Sequence, residues 1–235
     1  MLAFAICEPG LAEDPQKILQ RMDEVIFGPD DQYSEISLIL TDRSGAERRR
    51  EAVVWQKGND KRLFRFTAPA AEAGIAFLSL PDDVMYLYMP AFGRERRIAS
   101  HARDQSFAGT DFTYEDLEAG NYIDRYSSKL LEVTGEHYVL ELTPLPGVRS
   151  DYSRIVAHIN KTHYYPEKMT SYDRGGREYK LAEYTFEKKE AYWYASEIRM
   201  TNLRRSHNTR MIFEKVELDS GLDEQIFTVR NLTRY

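Results

Sequence analysis

The chain has 235 residues, a hydrophobic fraction of 42% and a formal net charge of −6. This composition predicts a globular protein and excludes the overall basic surface that is typical of nucleic-acid binding. A single cysteine, Cys7, excludes an internal disulfide. The sequence contains no run of about 18 apolar residues, which is the length that predicts a membrane-spanning helix.

Residues 1–14 begin with the apolar stretch "MLAFAICEPGLA". Two interpretations stay open for this segment, the remnant of a secretion signal or a flexible N-terminus. The following "DPQKILQRMDEVIFGPDD" predicts a helix that Asp14 caps, Pro15 begins and Gly28-Pro29 ends. One face of this helix would carry Ile18, Met22, Val25 and Ile26.

The remainder of the chain alternates short apolar strands with turns rich in glycine, asparagine and proline. In "KRLFRF", Phe64 and Phe66 share one face of a strand, and in "DVMYLYMP" Tyr86 and Tyr88 share another. One helix followed by roughly ten strands predicts a strongly curved antiparallel sheet or open barrel. We therefore expect one mainly β domain over residues 15–235.

The stretch "SFAGTDFTYEDL", residues 106–117, combines aromatic and acidic side chains. Asp111, Glu115 and Asp116 could serve as acid catalysts or metal ligands, but such chemistry needs carboxylates fixed across a cleft. A structural role is favoured, in which Thr113 caps a short helix, Asp116 completes a capping box, and the acids face solvent. Gly109 would permit the sharp bend before the helix.

Neither an HExxH nor a GxSxG motif occurs, and the five histidines form no HxH pair. We therefore expect no metal site, no cofactor and no enzymatic activity. Three basic clusters, residues 48–50, 94–97 and 204–205, are interpreted as solvated strand faces. A second interpretation is contact with anionic lipid headgroups or with an acidic partner.

The central strands carry more apolar side chains than one face of a sheet needs. An ordinary core accounts for many of them. A curved sheet with few helices can also leave a groove lined by aromatic residues and methionine, which suits a flexible apolar ligand.

Five segments, taken in order, resemble the outer-membrane lipoprotein-sorting family of LolA/LolB-like proteins. They are "LFRFTAPAAEAGIAFLSL", "VMYLYMPAFGRERRI", "SFAGTDFTYEDL", "SYDRGGREYKL" and "IFTVRNLTR". The resemblance extends over residues 15–235. It implies a half-open antiparallel barrel of about eleven strands with helices covering its mouth.

The resemblance further implies a periplasmic carrier that binds a lipid, an acyl chain or a lipidated protein, touches membranes transiently and works with an RND-type or MMPL-type exporter. The alternative is an accessory subunit that docks on such an exporter without transporting lipid. Nine residues are expected to line the lipid cavity: Phe64, Phe66, Phe77, Leu78, Tyr86, Tyr88, Met89, Phe107 and Phe112.

Overall fold

The computed structural model describes residues 13–234. Of the segment 1–14, for which two interpretations stay open, residues 1–12 with Cys7 lie outside the described residues. Three α-helices are present in the described part: α1 (Pro15–Ile26), α2 (Tyr114–Leu117) and α3 (Val229–Leu232). Over residues 13–234, no helix is both long and apolar enough to cross a membrane.

Helix α1 has the bounds that its sequence signals predict. The Asp14 carboxylate accepts a hydrogen bond from the backbone N–H of Gln16, and Pro15 occupies the first helical position, where no N–H partner is needed. Ile18, Leu19 and Met22 are fully buried, whereas the predicted face residues Val25 and Ile26 are half-buried. The helix packs its apolar face against the sheet.

The sheet contains thirteen antiparallel strands where the resemblance implied about eleven. Their order is β6-β5-β4-β3-β2-β1-β13-β12-β11-β10-β9-β8-β7. The strands are β1 (Asp31–Thr41), β2 (Glu47–Lys57), β3 (Lys61–Ala68), β4 (Ala76–Leu80), β5 (Val84–Met89), β6 (Arg94–Arg97), β7 (Tyr126–Val133), β8 (His137–Pro144), β9 (Arg154–Asn160), β10 (Pro166–Tyr172), β11 (Glu178–Lys189), β12 (Tyr192–Asn202) and β13 (His207–Leu218).

Two meanders, β1–β6 and β7–β13, meet where β1 pairs with β13. The sheet is not closed, because β6 and β7 are its two edges. Residues 98–125 connect these edges and are called the crossing segment below. Since this segment must pass from one edge of the sheet to the other, it places "SFAGTDFTYEDL" over a face of the sheet.

Register shifts interrupt several pairings, including those of β1 with β13 and of β11 with β12. Such bulges bend strands and increase their twist, as a half-open barrel requires. The main core lies between one face of the sheet, helix α1 and the crossing segment. This face of the sheet is called the inner face below. A smaller core on the outer face of β3 to β5 is covered by the C-terminal segment, with Phe227 and Leu232 buried.

Candidate functional site

A cavity of about 220 Å³ lies on the inner face of the sheet. Strands from both meanders, the end of α1 and the crossing segment contribute to its wall. Most of the wall is apolar, because the inward positions of these strands carry aromatic residues and methionine. The apolar and aromatic lining comprises Ile26, Phe27, Pro29, Val54, Phe64, Phe112, Leu117, Tyr122, Tyr126, Tyr152, Ile155, Pro166, Met169, Ala182, Tyr184, Phe186, Trp193, Tyr194, Ala195, Ile198, Met200, Met211 and Phe213.

One side of the cavity lies at the protein surface. The rings of Phe186 and Tyr165 stack with centroids 4.6 Å apart, and Trp193 lies 4.5 Å from the exposed ring of His163. Phe186 and Trp193 are half-buried, in contrast with Phe64, which is fully buried at the inner end. An apolar ligand could therefore enter beside this aromatic cluster.

The structure divides the nine predicted cavity residues into groups. Phe64 and Phe112 line the cavity. Phe66, Phe77 and Phe107 are buried behind them, and the Phe107 ring lies 5.1 Å from Phe64 and 5.4 Å from Phe66 between centroids. These three rings form the packed floor beneath the cavity and do not face it.

The other four predicted residues lie apart from the cavity. Leu78, Tyr86 and Tyr88 belong to the outer-face core, because successive residues of a strand point to opposite faces. Met89 packs at the margin of the main core without reaching the cavity. The alternation within each strand was recognised from the sequence, but which face is the inner one depends on long-range pairing.

Several lining residues were missed by the sequence analysis. They belong to the second meander, whose strands supply inward methionines and aromatics at alternating positions. The signal was present in "SEIRMTN" and "NTRMIF", where Ile198 and Met200, and then Met211 and Phe213, are spaced two residues apart. This spacing is also that of an ordinary core strand. The missed residues include Met169, Tyr184, Met200, Met211 and Phe213.

The acids of the crossing segment are buried, which corrects the expectation that they face solvent. The capping box between Thr113 and Asp116 is present as predicted. Asp116 also accepts a hydrogen bond from Lys180 Nζ at 2.5 Å and from the Tyr152 hydroxyl at 2.6 Å. Burial would raise the pKa of the Asp116 carboxyl, but Lys180 and these hydrogen bonds hold it below its ordinary value.

Two further carboxylates complete a buried ionic wall beside the cavity. Glu118 forms ion pairs with both Arg103 and Arg125, and its side chain is only 3% exposed. Glu115 accepts a hydrogen bond from the Ser150 hydroxyl at 2.5 Å, and burial raises the pKa of its carboxyl. Because each charge has a partner in the fold, these groups fix the crossing segment and do not resemble a free acid–base pair.

Arg62 lines the cavity where the ionic wall meets the apolar lining. Its guanidinium donates to Gln56 Oε1 at 2.5 Å and to the carbonyl oxygen of Leu117 at 3.1 Å. Burial lowers the pKa of Arg62 to about 10, so the side chain stays charged at neutral pH. Arg62 thereby ties β3 to the C-terminal end of α2.

Two other sequence interpretations need adjustment. Arg50 is not on a solvated face, because it is buried against Glu72 at 2.6 Å and donates to the Ala108 carbonyl. Asp111 is buried, and its carboxylate accepts a hydrogen bond from the Thr209 hydroxyl at 2.8 Å. Within residues 13–234, no group of three or more His, Cys, Asp or Glu side chains is placed to hold a metal ion.

Comparisons with known proteins agree with this architecture. A family model with the description "Uncharacterized protein" matches residues 58–234. A domain from Vibrio parahaemolyticus, described as an outer membrane lipoprotein-sorting protein domain, is 29% identical, with a TM-score of 0.86, over 94% of this chain and 98% of that one. The comparison with curated proteins finds no match.

Two more solved structures are similar over nearly their whole length. A DUF1329 family protein from Desulfovibrio piger ATCC 29098 is 28% identical, with a TM-score of 0.86, over 93% of this chain and 99% of that one. A LolA superfamily protein from Nitrosomonas europaea is 25% identical, with a TM-score of 0.78, over 92% of this chain and 98% of that one. With its open sheet, inner-face cavity and crossing segment, the chain belongs to the LolA-like family of lipoprotein-sorting-type proteins.

Proposed function

We propose that this protein is a periplasmic carrier that holds an acyl chain of a lipid or lipoprotein in the inner-face cavity. The observation that supports it most is the lining, in which methionines and aromatic rings converge on space that the core leaves unfilled. Such side chains adapt to flexible apolar ligands. The name of the similar domain from Vibrio parahaemolyticus, which refers to lipoprotein sorting, points in the same direction.

The size of the cavity limits the cargo. Its volume of about 220 Å³ is below the roughly 300–1,000 Å³ of typical small-molecule pockets. Burial of each methylene contributes about 0.8 kcal/mol, so a partly enclosed chain would be held moderately and could be released. A full-length acyl chain would require the crossing segment or the aromatic cluster to move outward.

The small volume also favours a second candidate function. In that case the protein is an accessory subunit that docks on an exporter of the RND or MMPL type, and the cavity is a loosely packed core. Neither function assigns a catalytic step to any residue. The two candidates differ in whether the purified protein contains lipid.

Mass spectrometry of an organic extract from purified protein tests the carrier function. Ala195 lines the cavity and is half-buried, so Ala195→Trp should fill the space near the aromatic cluster. Thr185→Trp is the matched control, because Thr185 is exposed between the lining residues Tyr184 and Phe186.

The carrier function predicts acyl species in the wild type and in Thr185→Trp, and a several-fold lower content in Ala195→Trp. Wild-type protein that is repeatedly empty would contradict it. Stoichiometric recovery of a membrane exporter with empty protein would instead support the accessory subunit.

A further inference from the structure

We infer that the tip formed by residues 90–97, called the edge tip below, docks this protein on an anionic lipid surface. The inference rests on the proposed function, since a carrier of acyl chains has to meet a membrane to load or release them. It adds the surface by which that meeting takes place.

The edge tip is the most exposed apolar feature of the described residues. A 3₁₀ turn, Pro90–Phe92, precedes β6, and Phe92 is 71% exposed. Gly93 adopts the left-handed conformation with φ of 62°, which reverses the chain directly after the ring. An exposed aromatic ring at a turn is costly in water but is well accommodated at a membrane interface.

Positive charge surrounds this ring. All four residues of β6 are exposed, and three of them are Arg94, Arg96 and Arg97. In the part of the chain that the structure describes, no carboxylate oxygen lies within 4.0 Å of these three guanidinium groups, although many other arginines are paired. The charges are therefore available to an external anion, on a chain whose net charge is −6.

The arrangement of the arginines favours a lipid surface over an acidic protein. Arg94 and Arg96 are paired with Met89 and Leu87 of the inner face, whereas Arg97 is paired with Tyr86 of the outer face. The charges thus lie on both sides of β6, at the free edge of the sheet. A fluid layer of anionic headgroups can surround such an edge, while a folded partner would contact one side of it.

Vesicle flotation at low ionic strength tests the inference with the full chain. We expect wild-type protein to bind mixed phosphatidylglycerol–phosphatidylcholine vesicles and not pure phosphatidylcholine vesicles. A basic residue near an anionic surface contributes about fivefold in affinity, so the triple variant Arg94→Gln/Arg96→Gln/Arg97→Gln should bind on the order of 100-fold more weakly. Phe92→Ser should weaken binding by about tenfold.

A control variant removes the same charge elsewhere. Arg43, Arg48 and Arg205 are exposed and have no ion-pair partner among residues 13–234, so Arg43→Gln/Arg48→Gln/Arg205→Gln should weaken binding by less than about threefold. Thermal unfolding of each variant verifies the fold.

Edge-tip variants that bind like this control, or wild type that binds both kinds of vesicle equally, would overturn the inference. Binding to polyglutamate without binding to anionic vesicles would also overturn it and assign the tip to an acidic protein.

The lipid content of the variants separates this inference from the proposed function. Phe92 and the three arginines line no part of the cavity. Lost vesicle binding with unchanged bound lipid supports the docking surface. Empty protein that still docks through the edge tip would contradict the carrier function and leave the docking surface intact.

Discussion

Removing the Lys180 ammonium should destabilise the crossing segment more than any change of an exposed charge. Lys180 on β11 is 2% exposed, and its Nζ lies 2.5 Å from Asp116, whose side chain is 9% exposed. In Lys180→Met the carboxylate stays buried without its cation, and such a loss costs about 3–5 kcal/mol in unfolding free energy. For a protein of this size that corresponds to a fall in Tm of about 6–20 °C.

Urea denaturation of Lys180→Met, Asp116→Asn and the double variant measures this interaction as a thermodynamic cycle. The double variant should be more stable than the sum of the two single changes predicts, with a coupling of at least about 1 kcal/mol. Amide exchange should also accelerate in α2, which Asp116 fastens to the sheet. A loss below about 1 kcal/mol in Lys180→Met would refute the reasoning, since it would mean that water already screens the pair.

Two further predictions concern helix α1. Burial raises the pKa of Asp23 from 3.8 to about 6. Between about pH 4 and pH 6 the folded protein therefore binds more protons than the unfolded chain, and its stability falls as the pH rises through this range. Relative to Asp23→Asn, the free energy of unfolding of wild type should therefore fall by up to about 3 kcal/mol between about pH 4 and pH 7. If the unfolding free energies of the two proteins change in parallel with pH, this prediction is wrong. At Gly28 an added Cβ would lie 2.9 Å from the Glu24 carbonyl oxygen. Gly28→Ala should therefore lower the free energy of unfolding, measured by denaturant titration, by about 1–3 kcal/mol. Gly135→Ala, which meets no atom within 4 Å, is the control, and equal losses in the two variants would exclude the steric cause.

Local signals predicted most of the secondary structure. The cap at Asp14, Pro15 and Gly28-Pro29 defined α1, and the capping box at Thr113 defined α2, because both depend on residues within a few positions. The alternation in "KRLFRF" and "DVMYLYMP" was also confirmed, with Phe64 and Tyr86 on opposite faces of the sheet.

The site was predicted less completely, because it depends on pairing between distant segments. Nothing in the local sequence of β1 indicates that it pairs with β13, and this pairing brings Met211 to the same cavity as Phe64. The acids of the crossing segment look solvated in sequence. Their burial depends on cations that the local pattern does not assign to them. Lys180 of β11 pairs with Asp116, and Arg125, at the end of the crossing segment itself, pairs with Glu118.

The pairing of β1 with β13 has a consequence for biosynthesis. Leu38 is paired with Met211, so the middle of the sheet is assembled from segments separated by most of the chain. Folding that depends on such distant contacts is slow, typically milliseconds to seconds, and it cannot finish before the last long strand is available. Until then both half-sheets present unpaired edges, and a chain that ends before β13 should aggregate unless a chaperone shields it.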